Sequence, residues 1–241
     1  MGVAEFNEAA ELISKLAPKL MVQKCFLELS APSIGEAIAS LVSRGVRRVT
    51  AMPLLLLAAG HAKHDIPVAI EAAAACDPLL EVRLAPPLGC HELVLELSAQ
   101  RFREALAARG DVPLEETCLL MVGRGSRDPA ATAEMHRFSE RRRLRTPVGH
   151  MRTCFVSMAE PLLEEVLAKT PSAGFRRVVV QPHLLFHGEL AIRLCAMTEA
   201  VARKCPDQEW IVTEHLGPAW LLAEAAIQIQ TECSRLIRTE N

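Results

Sequence analysis

The chain repeats itself, and the repeat limits what it can fold into. Residues 45–49, Gly-Val-Arg-Arg-Val, match residues 174–178, Gly-Phe-Arg-Arg-Val, with residue 45 facing residue 174, a spacing of 129. The same spacing pairs Ala4-Glu5 with Ala133-Glu134, Cys25-Phe26 with Cys154-Phe155, Pro32 with Pro161, Glu36 with Glu165 and Pro53 with Pro182. One register held through five elements marks a duplicated domain.

Within each copy, apolar runs of strand length alternate with helical periodicity. The first copy reads as a helix over residues 3–17 closed by Pro18, a strand over Lys19 to Leu29, and a helix beginning at Pro32 and running to Ser43. An apolar strand from Arg48 to Leu57 follows, then a helix from Ile66 to Ala75, a strand from Leu80 to Leu84 and a helix from His91 to Arg109. Gly110 to Pro113 reads as a linker. The second copy restarts with strand Thr117 to Val122, then a helix to Leu144, and strands at Gly149 to Met158, Arg176 to Gln181 and Trp210 to Thr213, each followed by a helix. This alternation predicts an α/β fold of two tandem domains, residues 1–110 and 115–241, each a parallel sheet flanked by helices, facing each other across a cleft.

Met1 faces Ala130, so the first copy has no counterpart of strand Thr117 to Val122 or of the loop Gly123 to Pro129. A parallel sheet without its opening strand leaves backbone groups unpaired. A shortened or diverged N-terminus, or something else covering the gap, is the expectation, and self-association through the incomplete half follows from it.

Net charge is −2, from 27 basic and 29 acidic residues, so no field favours nucleic acid or anionic lipid. No apolar run reaches membrane-spanning length and the N-terminus has no basic-then-apolar signal pattern. A cytoplasmic protein with a small-molecule partner is expected. The eight cysteines stand singly, without a Cys-x-x-Cys pair, and read as reduced thiols.

The most distinctive stretch is Met52 to Pro67, where an apolar run stops at Gly60 and delivers His61 into a polar loop. In parallel sheets the strand ends open onto the ligand crevice. A neutral imidazole there suits metal binding or proton transfer. In the second copy, Gln181 to Glu189 brings His183 and His187 to the matching strand end, so both rings are expected at the same cleft, lining it or contacting substrate, with replacement of a missing ligand as the sharper alternative.

Phe26-Leu27-Glu28-Leu29 with Pro32, Gly60-His61-Ala62-Lys63 with Asp65-Ile66-Pro67, and Val122-Gly123-Arg124-Gly125-Ser126-Arg127-Asp128-Pro129 resemble the long, two-domain CbiX-type sirohydrochlorin chelatases over almost the whole chain. The resemblance implies ATP-independent insertion of a divalent metal, cobalt or else iron or nickel, into sirohydrochlorin for cobalamin or siroheme synthesis, with no organic cofactor. In that family the metal is held by histidines of a Gly-His-Gly loop and a Gly-Gly-His loop, with an acidic residue nearby. His61 matches the second histidine, and Glu28 is the candidate acid. The Gly-His-Gly loop answers to a place before Met1, and the second copy has Arg124 there, which cannot bind a cation.

A substrate rich in carboxylates calls for guanidinium, ammonium and N–H donors. Arg124, Ser126 and Arg127, in a Gly-rich strand-to-helix loop, and Lys63, beside His61, are the expected carboxylate binders. Two alternatives stay open: a weak or inactive protein of the same fold that carries metal or tetrapyrrole, and a two-lobed binder of another small anion.

Overall fold

The computed structural model describes residues 2–75 and 77–235, with the side chains of His61 and Ala62 outside that description. The first half contains helices α1 (Gly2–Leu16) and α2 (Ile34–Ser43), strand β1 (Arg48–Ala51), the single turn α3 (Gly60–Lys63), helix α4 (Asp65–Ala74), strand β2 (Glu81–Leu84) and helix α5 (Glu92–Leu106). The second half runs β3 (Thr117–Gly123), α6 (Pro129–Arg143), β4 (His150–Phe155), α7 (Leu163–Lys169), β5 (Arg177–Pro182), α8 (Glu189–Ala202), β6 (Glu209–Val212) and α9 (Trp220–Arg235). Every strand pair is parallel, in the orders β1-β2 and β4-β3-β5-β6.

Local chemistry sets the helix starts. Ser33 caps α2 and exchanges hydrogen bonds with Glu36 in a capping box, which leaves Pro32 just outside the helix instead of at its first position. His91 Nδ1 accepts the Leu93 N–H at the head of α5, and Asp128 accepts the Ala130 N–H at the head of α6, where Pro129 follows.

The duplication persists in the backbone. Leu29 and Met158, 129 residues apart, both have positive φ, 63° and 62°, and isolated parallel bridges join Phe26 to Ser33 and Phe155 to Leu162. Arg48 lies opposite Glu81 in β1-β2 as Arg177 lies opposite Glu209 in β5-β6.

The first sheet differs from expectation in two ways. Residues 19–29 form no strand beyond the bridge at Phe26, and β1 ends at Ala51 instead of Leu57. Their counterparts β4 and β5 flank β3 and take ladder hydrogen bonds from it, and among the described residues the first half has no strand in that place. Accordingly β5 is buried throughout, whereas Arg48 of β1 is exposed and its other three residues are only half-buried.

In the second sheet both faces are covered. Side chains of β3 alternate, with Leu119 and Met121 entering one apolar cluster and Cys118, Leu120 and Val122 the other. Helices α7 and α8 cover the second face through Leu163, Val166, Leu167 and Leu194. The first face is covered by α6 and by α5, a helix that belongs in sequence to the first half. In exchange, α9 packs on α1, β1 and β2, with Ser234 bonded to Thr50 at 3.0 Å. The linker is anchored too: buried Arg177 pairs with Glu209 at 2.7 Å and donates to the carbonyls of Gly110 and Val112. Among the described residues no helix is long and apolar enough to cross a membrane.

Candidate functional site

The loop after β3 leaves the sheet at its C-terminal end, where parallel α/β sheets bind ligands. Gly125 has φ +91°, and a Cβ there would stand 1.6 Å from the Ser157 carbonyl oxygen, so only glycine lets this loop press on the loop after β4. The Ser157 N–H donates to the Arg124 carbonyl at 3.1 Å and closes the two loops together. The Arg124 and Arg127 residues are exposed, and Ser126 Oγ accepts the Asp128 N–H at 3.0 Å. Ser126, Arg127, His136, Met158 and Glu160 line an open depression beside the head of α6. Arg127 and His136 supply donors to it, while Glu160 is a carboxylate and accepts the Leu162 N–H at 3.2 Å.

The backbone of His61 lies in the turn α3, and its side chain lies outside the described residues. Two residues on, Lys63 Nζ meets Asp128 Oδ2 at 2.5 Å. The Gly-His-x-Lys stretch and the Gly-Arg-Gly-Ser-Arg-Asp loop, 65 residues apart at this pair, are therefore in direct contact. The bonded Lys63 ammonium holds the Asp128 carboxyl below its usual range, with the Ala130 N–H adding to it. Lys63 was expected to be open to a ligand; its ammonium is instead bonded to Asp128.

Glu28 is exposed in the irregular loop 27–32 and not at a strand end, because among the described residues the segment that would carry it has no strand beside it to pair with. His183 departs further from expectation. It is 3 % exposed, its ring lies 4.1 Å from that of Phe138, and neither ring nitrogen has a hydrogen-bond partner among the described residues. It faces the core and not a cleft, so it does not supply a replacement ligand. His187 is half-buried at the seam between the halves. Its N–H donates to Glu5 Oε2 at 2.6 Å, and its ring lies 5.9 Å from that of His215, whose Nε2 is 3.0 Å from Glu5 Oε1. Sequence reasoning passed over His215 and the role of Glu5, although the repeat had already matched Glu5 to Glu134. Among the described residues no three His, Cys, Asp or Glu side chains converge as a metal-holding group.

Burial pushes the His183 pKa down to about 3, so the folded protein keeps this ring neutral. The unfolded chain takes up a proton near pH 6.5 and the folded one does not. Stability therefore falls as the pH drops from about 6.5 towards 3, with a slope of about 1.4 kcal/mol per pH unit from this residue. His183→Leu, which installs the residue the repeat has at Leu54, is expected to remove that slope and to be no less stable at pH 7. Urea unfolding between pH 7 and 4.5 checks it, and parallel pH profiles for parent and variant would contradict the assignment.

The chain is thus a duplicated parallel α/β protein whose two motif loops meet at one seam. The model of the CbiX family matches residues 1–105 and again residues 118–232. A sirohydrochlorin ferrochelatase of Priestia megaterium is 32% identical over 214 residues, which is 88% of this chain and 78% of that protein. A sirohydrochlorin cobaltochelatase of the same organism is 30% identical over 198 residues, 82% of this chain and 64% of its own length. Among solved structures, SirB from Bacillus subtilis with Fe3+ superposes with a TM-score of 0.86 at 25% identity, covering 99% of this chain and 93% of that one. The chain belongs to the CbiX family.

Proposed function

We propose that this chain inserts a divalent metal, cobalt or iron, into sirohydrochlorin without ATP, its halves 1–110 and 115–241 acting as one unit. The observation that carries the reading is the Lys63–Asp128 contact, which brings the His61 turn against the arginine-bearing loop after β3. Family membership across both repeats and relatives named for both metals support the substrate and the reaction.

Insertion puts one metal into the macrocycle and takes two pyrrole protons out. A neutral imidazole suits both halves of that exchange: its nitrogen is a borderline ligand for cobalt and iron, and the lone pair released when the metal moves on to the ring nitrogens can take a proton. His61 has this role, and the exposed Glu28 carboxylate balances metal charge and accepts the second proton. Arg127 and Ser126 hold substrate carboxylates at the depression beside α6, exposed Arg124 does so from the same loop, and His187 contacts substrate from the seam.

The test is initial-rate absorbance with purified protein, sirohydrochlorin and Co2+ or Fe2+ in the absence of ATP. Insertion well above the protein-free rate is expected. A rate equal to that control, with Co2+ still bound, would replace the chelatase reading by that of a metal carrier.

A further inference from the structure

Both flanks of the His61 turn are tied to the second half. Before it, the Ala58 N–H donates to Glu134 Oε2 at 3.4 Å; after it, Lys63 bonds Asp128 at 2.5 Å. The turn has little of its own to hold it, since α3 is 4 residues long and Ala59 at its N-cap has no side-chain acceptor. Glu134 is closely seated as well. A Cβ on Gly89 would stand 2.8 Å from Glu134 Oε1, while the Leu88 and Gly89 N–H groups donate to the Leu55 and Leu56 carbonyls, each at 2.9 Å. The run after β1, the turn at Gly89 and the Glu134 carboxylate thus form one packed unit.

The repeat builds the glutamate side of this clamp twice. Glu5 is the counterpart of Glu134 and His187 the counterpart of Ala58, and the His187 N–H donates to Glu5 Oε2. The first helix of each half grips the strand-end loop of the other. Of the two gripped loops, the first-half one carries the Gly-His-x-Lys stretch.

We propose that Asp128 and Glu134 are positioning residues for His61, holding its turn from the second half, and that Lys63 acts through Asp128 and not on the substrate. This rests on the reading of His61 as the metal-binding residue.

The test uses the full chain in four forms: parent, Lys63→Met, Asp128→Asn and the double variant, with asparagine keeping the cap of α6. Co2+ alone is titrated, kcat and KM are measured for sirohydrochlorin, and hydrogen exchange is followed over residues 58–66. Each single variant is expected to weaken Co2+ binding and lower kcat about tenfold, to speed exchange in that segment and to leave KM within about twofold. The double variant is expected to be no worse than either single one, because both remove the same interaction. Glu134→Gln is expected to give a smaller loss in the same direction. If Lys63→Met raises KM while Asp128→Asn changes nothing, Lys63 touches substrate and the proposal is overturned. Single variants equal to the parent in Co2+ affinity and exchange, or losses that add in the double variant, overturn it too. A parent that inserts no metal removes the chelatase reading alone, and Co2+ affinity and hydrogen exchange then decide the clamp.

Discussion

Replacing His61 by alanine lowers the rate of cobalt insertion into sirohydrochlorin by about two orders of magnitude, the scale on which a positioned acid–base group contributes. On the proposed reading two functions are lost at once, since one imidazole nitrogen is assigned both to hold the incoming metal and to receive a pyrrole proton. The effect belongs in kcat and in Co2+ affinity, whereas Arg124→Ala, acting on substrate carboxylates, belongs in KM. Initial rates at saturating and limiting sirohydrochlorin separate the two. A His61→Ala protein that metallates within threefold of the parent would remove His61 from the site and leave the contact of the two loops without its proposed chemistry.

What the sequence made legible was whatever one half can dictate by itself or by comparison with the other. The spacing of 129 located β5 from β1 and α7 from α2, because duplicated strands keep the same apolar pattern. It did not reveal which sheet α5 and α9 cover, since an apolar stripe requires a helix to be buried and does not choose the partner. The strand expected at Lys19–Leu29 failed for a related reason. Pairing is non-local, and Phe26 to Leu29 have the composition of a strand without, among the described residues, a neighbour to complete a ladder. His183 follows the end of a strand, which placed it at the cleft; burial against Phe138 decided otherwise. Glu5 and Glu134 were matched by the repeat, but that they cross the seam to bind the backbone of the opposite half is a property of the docked halves. The Lys63–Asp128 pair is the same kind of fact, a contact between motifs each legible alone.

Arg142→Ala is expected to lower stability by about 3–5 kcal/mol, which for a chain of this size corresponds to a melting midpoint about 6–20 °C lower. Arg142 is fully buried between α6 and α5, 0 % exposed, and burial pulls its pKa down to about 10, so it stays charged at neutral pH. Its charge is met by oxygen acceptors in place of a bonded carboxylate: Nε donates to Ser98 Oγ at 3.1 Å, Nη2 to the Ser98 carbonyl at 3.2 Å and Nη1 to Thr146 Oγ1, with the guanidinium 5.8 Å from the centre of the Phe102 ring. Gln181 Nε2 from β5 reaches the same Ser98 carbonyl at 2.6 Å, so Ser98 joins the exchanged helix to both α6 and the second sheet. Truncation to alanine opens a cavity and leaves buried acceptors short of donors, and the two costs fall on the seam that also carries Glu134 and Asp128. Arg142→Met refills most of the volume without the donors and is expected to melt between alanine and parent. Thermal unfolding of the three proteins, followed by circular dichroism, decides the matter: an alanine variant within 2 °C of the parent would mean that α5 is held on the second half by its apolar face alone.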